Sequence, residues 1–154
     1  MKTITFLLMP FLYLQLFACA QHNESQPIKT KSETENLDTM KLKITIGRAT
    51  FSATLENNRT ANAFKERLPL TLTMNELNNN EKYVDWSESL PSNASNPKTI
   101  QNGDLMLYGS NTLVLFYKTF ATPYNYTKIG KIDNPEGLME ALGTGNSNVT
   151  FETE

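Results

Sequence analysis

Apolar and polar residues alternate with period two at the start of the folded part of the chain. Leu42, Ile44 and Ile46 alternate with Lys41, Lys43 and Thr45; after Gly47-Arg48, Ala49, Phe51, Ala53 and Leu55 alternate with Thr50, Ser52 and Thr54. Successive strand side chains point to opposite faces, so two such runs across a two-residue Gly-X turn predict a β-hairpin with one buried face. The period then changes. Behind Thr60 as a cap, Ala61, Phe64 and Leu68 fall on one helical face, and Pro69 prevents the helix from continuing. Leu70, Leu72 and Met74 alternate with Thr71 and Thr73 and predict a third strand.

From Asn75 to Asn102 periodicity fades. The segment holds Asn78-Asn79-Asn80, Pro91 and Pro97, with Tyr83, Val84 and Trp86 as its main large apolar groups, and it is expected to be a long loop pinned by Tyr83 and Trp86. Gly103-Asp104 turns into Leu105–Tyr108, and Gly109 to Asn111 turn again into Thr112–Tyr117. The near-continuous apolar character of this second hairpin predicts burial on both faces. An aromatic loop follows (Phe120, Pro123, Tyr124, Tyr126), then a strand over Lys128–Ile132. A second helix is expected over Glu136–Leu142, with Pro135 near its start, Leu138, Met139 and Leu142 inward and Gly143 as its stop. Val149 and Phe151 close the domain in a last strand.

The first eighteen residues differ in kind. One positive charge precedes an apolar run from Ile4 to Ala18 that is shorter than the about 20 residues a membrane span needs, is broken by Pro10, and gives way at once to polar residues. This is the layout of an export signal. Leu16-Phe17-Ala18-Cys19 resembles a bacterial lipobox, which would lipidate Cys19 and anchor the chain to a membrane of the cell envelope. Ala18-Cys19-Ala20 also satisfies the small-residue rule for ordinary secretion, and a cut after Ala20 would discard the thiol. Residues 19–39 carry too little apolar surface to offset their ordering entropy and are expected to form a flexible tether. The expected division is therefore a signal at 1–18, a tether at 19–39 and one domain at 40–154, a size suited to a single core.

Composition removes several classes of activity. The chain has one cysteine and one histidine, so no internal disulfide and no Cys/His metal cluster is expected, and no cofactor or metal is assigned. The net charge is −2 and becomes more negative when Lys2 leaves with the signal, which argues against nucleic acid as a partner. No Gly-x-Ser-x-Gly elbow occurs, His22 lies in the tether and Cys19 at the anchor, so nucleophilic hydrolysis has no support. Asp85 and Glu88 are expected to be solvated. Gly143-Thr144-Gly145-Asn146 is too short for a phosphate loop and is better explained as a helix stop. Five Asn-x-Ser/Thr triplets, beginning at Asn23, Asn58, Asn93, Asn125 and Asn148, are what an Asn-rich chain makes by chance.

Short strands with two brief helices predict a mainly β protein, a small barrel with helices covering its ends. The residues that carry this pattern are Leu42 to Leu55, Phe64 with Leu68-Pro69-Leu70-Thr71-Leu72, Gly103-Asp104, Leu113 to Lys118, and Ile129-Gly130-Lys131-Ile132. In that order they resemble the bacterial cyclophilin-like domain family across Met40 to Glu152. The resemblance implies a cyclophilin-like closed barrel with a helix at either end and no established activity. The prolyl isomerases of this fold use an arginine following a Phe-His-Arg type strand and a downstream Gln-Gly-Gly-Asp type segment, and neither is present. Arg48, Arg59 and Arg67 fall in a turn, before a helix and on it. The remaining functional signal is aromatic, Tyr83 and Trp86 in the long loop and Tyr117, Phe120, Tyr124 and Tyr126 around the end of the second hairpin; of these Tyr83, Trp86, Tyr117, Phe120 and Tyr124, with Lys118 supplying charge, are the candidate ligand-binding residues. They suggest a non-catalytic module for a peptide or small molecule. An unconventional prolyl isomerase and a structural component of an envelope complex are the alternatives.

Overall fold

The computed structural model describes residues 40–154. The expected signal, Cys19 and the tether lie outside the described residues. Ten strands and two short helices follow in order: β1 (Lys41–Ile46), β2 (Ala49–Leu55), α1 (Arg59–Lys65), β3 (Leu70–Leu77), β4 (Glu81–Asp85), β5 (Thr99–Ile100), β6 (Asp104–Tyr108), β7 (Thr112–Phe116), β8 (Phe120–Ala121), β9 (Thr127–Ile132), α2 (Leu138–Leu142) and β10 (Ser147–Thr153). Eight of the strands close an antiparallel barrel in the order β1-β10-β3-β4-β7-β6-β9-β2, while β5 and β8 pair with each other outside it.

The alternation read from the sequence is the barrel's inside and outside. Leu42, Ile44 and Ile46 of β1 are buried, and so are Phe51, Ala53 and Leu55 of β2, while the intervening Lys, Thr and Ser residues stay at least partly exposed. Val149 and Phe151 complete the wall between β1 and β3. The strands of the second hairpin, β6 and β7, are buried on both faces, as their unbroken apolar character predicts. Leu105, Leu107, Leu113 and Leu115 join the barrel core; Met106, Val114 and Phe116 join a second apolar cluster with Ile100 and Tyr126. In β9 the pairing with β6 shifts between Leu105 and Met106, and Gly130 passes so close to β2 that an added Cβ would lie 2.6 Å from the Thr54 carbonyl oxygen.

Four local expectations need correction. The segment after Asn75 is not one long loop: β3 runs on to Leu77, and Asn78 and Asn79, both at positive φ, turn it into β4. Asparagine tolerates the left-handed region that this turn requires. The cap of α1 is Asn58, whose Oδ1 accepts from the Ala61 amide, while the Thr60 hydroxyl donates to the Pro91 carbonyl. The helix ends at Lys65, before Leu68. The second helix begins at Leu138, and Met139 faces outward because Leu138 and Leu142 alone suffice to bury a face of one turn.

The helices lie at opposite ends of the barrel, and β4 shows this. Lys82, near its start, is bonded to the loop that leaves α2; Trp86, just past its end, stacks on Phe64 of α1 with ring centroids 5.8 Å apart. The two ends are therefore closed differently, one by polar and the other by aromatic contacts.

Candidate functional site

Pairing with β3 and β7 directs Lys82 and Val84 of β4 into the barrel and Glu81, Tyr83 and Asp85 outward. Outside the barrel at this point stands the segment Phe120–Tyr126. It is held over β6 and β7 by the β5–β8 pair, by reciprocal backbone bonds between Ser95 and Tyr126 at 3.0 Å, and by the Thr122 amide donating to the Lys98 carbonyl at 3.0 Å. Beneath it the outer residues of β6 and β7 form the second apolar cluster, with Tyr126 edge-on to Phe116 at 5.5 Å.

Between this segment and the outer face of β4 a cleft of about 530 Å³ remains. Its floor includes Val114 and Thr112, one wall is Tyr83 with Glu81 and Asp85, the opposite wall is Phe120 to Tyr124, and Leu77 and Asn78 of the β3–β4 turn close one end. Tyr108 packs edge-on to Tyr124 at 6.2 Å and tilted on Tyr126 at 5.5 Å. Four large hydrophobic side chains are exposed among the described residues, and three of them, Leu77, Tyr108 and Tyr124, line this cleft. Scattered exposed apolar groups are ordinary; their gathering around one concavity marks a contact surface.

The electrostatics of the cleft centre on Glu81. Burial, then the nearby charge of Glu76, push its carboxyl up to about 7. Burial and the Glu81 charge likewise raise the Tyr126 hydroxyl above the ordinary tyrosine range. Asp85 accepts a hydrogen bond from the Thr112 hydroxyl at 2.6 Å.

On the inner side of the same strands a separate polar group closes one end of the barrel. Lys82 is fully buried; its Nζ pairs with Glu76 and donates to the carbonyls of Gly143 at 2.9 Å and Gly145 at 2.6 Å. The Tyr117 hydroxyl donates to the same carboxylate at 2.8 Å, and the Lys82 ammonium lies 5.5 Å from the Tyr117 ring centroid. Burial alone would raise Glu76, but the hydrogen bonds from Lys82 and Tyr117 outweigh it and hold the carboxyl below its usual range. Burial and the bond to Glu76 push the Tyr117 hydroxyl well above the usual tyrosine range.

The structure thus divides the aromatic candidates. Tyr83, Phe120 and Tyr124 come together in the cleft. Trp86 packs on the core side against Phe64, Tyr117 belongs to the buried polar group, and exposed Lys118 lies over a different depression with Glu136 and Glu140. Tyr126, part of the aromatic signal in the sequence, also lines the cleft, whereas sequence reasoning passed over Glu81 and Tyr108. A turn signal in Asn78-Asn79-Asn80 pointed to Glu81, but Lys82 in an inward position hid the strand. None of the three arginines lines the cleft. Arg48 is exposed in the β1–β2 turn, Arg59 opens α1, and Arg67 beyond α1 donates to the Ala63 carbonyl and pairs with Glu88 at 3.5 Å.

A model described as the cyclophilin-like family matches residues 44–152. The chain belongs to the cyclophilin-like family. Among solved structures it is similar to the solution structure of the hypothetical protein AF2241 from Archaeoglobus fulgidus, with a TM-score of 0.59 and 21% identity, over 79% of this chain and 99% of that one. At that identity the likeness concerns the fold alone. No curated protein matches significantly. Within this cyclophilin-like barrel, the cleft between β4 and the Phe120–Tyr126 segment is a concavity where exposed aromatics meet a carboxylate that has no partner among the described residues.

Proposed function

We propose that this cyclophilin-like chain is an exported, lipid-anchored binding module that takes a peptide segment or small molecule into the cleft between β4 and the Phe120–Tyr126 segment, without turnover. The observation that carries the proposal is the gathering of Leu77, Tyr108 and Tyr124 around a cleft of about 530 Å³, within the size range of small-ligand sites. The lining holds no arginine, which favours binding over an isomerase mechanism of the kind the fold otherwise hosts. Anchoring rests on the lipobox-like Leu16-Phe17-Ala18-Cys19 and the polar stretch behind it.

An NMR screen of mixed peptides and fragments against the mature protein tests the site. Shifts concentrated at Tyr83, Tyr108 and Tyr124 are expected. A protease-coupled prolyl-peptide assay is expected to show no rate enhancement, and enhancement that survives replacement of each arginine would establish the isomerase alternative instead. Cleft resonances that stay unmoved while a stable protein partner co-purifies would favour the structural role. Mass spectrometry of the mature N-terminus should find a diacylglyceryl-modified Cys19; a start at Gln21 would replace anchoring with secretion.

A further inference from the structure

Glu81 sets this cleft apart from an apolar groove. It is half-buried, yet among the described residues its carboxylate has no hydrogen-bond or ion-pair partner. Its chain neighbour Lys82 projects through the sheet to the other side, where Glu76 and two carbonyls use its protons. A half-desolvated carboxylate without a partner is an unfavourable element of a folded protein, and a bound cation would remove that penalty.

The remaining lining narrows the occupant further. Glu81 and Asp85 are the charged residues of the cleft, and no lysine, arginine or histidine lines it. An anionic ligand would meet two carboxylates with nothing to offset them, and a neutral apolar ligand would strip more water from Glu81 and return nothing. Tyr83 stands between the two carboxylates on β4, and the rings of Tyr108 and Tyr124 line the Asp85 end, where Asp85 and Tyr108 both pair with Thr112; the faces of such rings attract organic cations. Aromatic walls, a carboxylate left unpaired and the absence of competing positive charge describe a receptor for a cationic group carried on an apolar stem.

We propose that the cleft selects an organic cation, the ammonium or guanidinium of a lysine or arginine side chain or of a free amine, held by Glu81 beside the tyrosine rings, with Asp85 at the other end of the same strand face adding negative charge. The inference rests on the reading of the cleft as a binding site and names the chemical class of its ligand.

Calorimetric titration of the mature protein at about pH 8, where Glu81 is ionised, tests it with three probes: acetyl-Gly-Lys-Gly-amide, the same peptide with norleucine for lysine, and n-butylammonium. The lysine peptide is expected to bind at least tenfold more tightly than the norleucine peptide. Glu81→Gln should abolish that preference, by weakening the lysine peptide and not the norleucine peptide, and Asp85→Asn should weaken the preference without abolishing it. If n-butylammonium binds as well as the lysine peptide, the amine alone is recognised; weaker binding assigns a peptide source. Either result supports the cation class. Equal affinity for the lysine and norleucine peptides, or a preference that survives in Glu81→Gln, overturns the inference while leaving the cleft a binding site. If none of the three binds, the cation class is overturned, and the binding-module reading is decided separately by the fragment screen.

Discussion

A lysine can be buried inside a barrel when each of its ammonium protons has an acceptor, and Lys82 has three: Glu76, the Gly143 carbonyl and the Gly145 carbonyl. Lys82→Met should therefore cost about 3–5 kcal/mol in urea unfolding, because the Glu76 carboxylate would be left without its cation beside the Tyr117 hydroxyl. Adding Glu76→Gln should restore part of the loss, whereas a single-variant cost below about 1 kcal/mol would show the group to be dispensable. Glu81 acts in the opposite sense with pH. Its folded pKa of about 7 lies above the usual 4.5, so folding favours the protonated form. The stability it contributes is complete below the unfolded pKa and is lost as pH rises through about 7. Melting temperatures followed across that window should fall more steeply for the native chain than for Glu81→Gln, and parallel profiles would refute the assignment. Gly130→Ala meets a backbone oxygen at 2.6 Å and should destabilise by about 1–3 kcal/mol, as over-packing does.

At the scale of elements, β4 explains why part of the site was hidden. Its sequence Glu81-Lys82-Tyr83-Val84-Asp85 places a charge inward and an aromatic outward, the reverse of the β1–β2 hairpin, so period-two reasoning found no strand there. The inversion makes sense only when α2 supplies carbonyls on one side and the Phe120–Tyr126 segment supplies aromatic cover on the other. Trp86 was likewise placed by tertiary contacts. It follows β4 directly and stacks on Phe64 with the ring planes at 21°, away from the cleft. Its fluorescence should accordingly report unfolding of the α1 end and stay constant as the cleft is saturated, while a large emission change on ligand binding would place the ligand at the α1 end. By contrast β1, β2, β6, β7 and β9 were legible, because their alternation or double burial follows from residue type alone.

At the scale of the molecule, closure depends on β10, which stands between β1 and β3 and carries Val149 and Phe151 into the core. Deleting residues 147–154 would open two strand edges and remove both side chains, and far-UV circular dichroism with urea should then show no cooperative transition. A transition that persisted would mean the barrel tolerates an open seam.

Alternation of apolar and polar residues was enough to determine a mainly β chain, most of its strands and the double burial of the second hairpin, because burial in a sheet selects residue types at a fixed local period. The family resemblance could likewise be read from segment order. Which aromatics share a cleft, why a lysine points inward and which half-buried carboxylate is left without a partner among the described residues were decided by the tertiary structure. Those properties arise from pairs such as Tyr108 with Tyr124 and Lys82 with Gly145, which are separated in sequence and become neighbours only once the barrel closes.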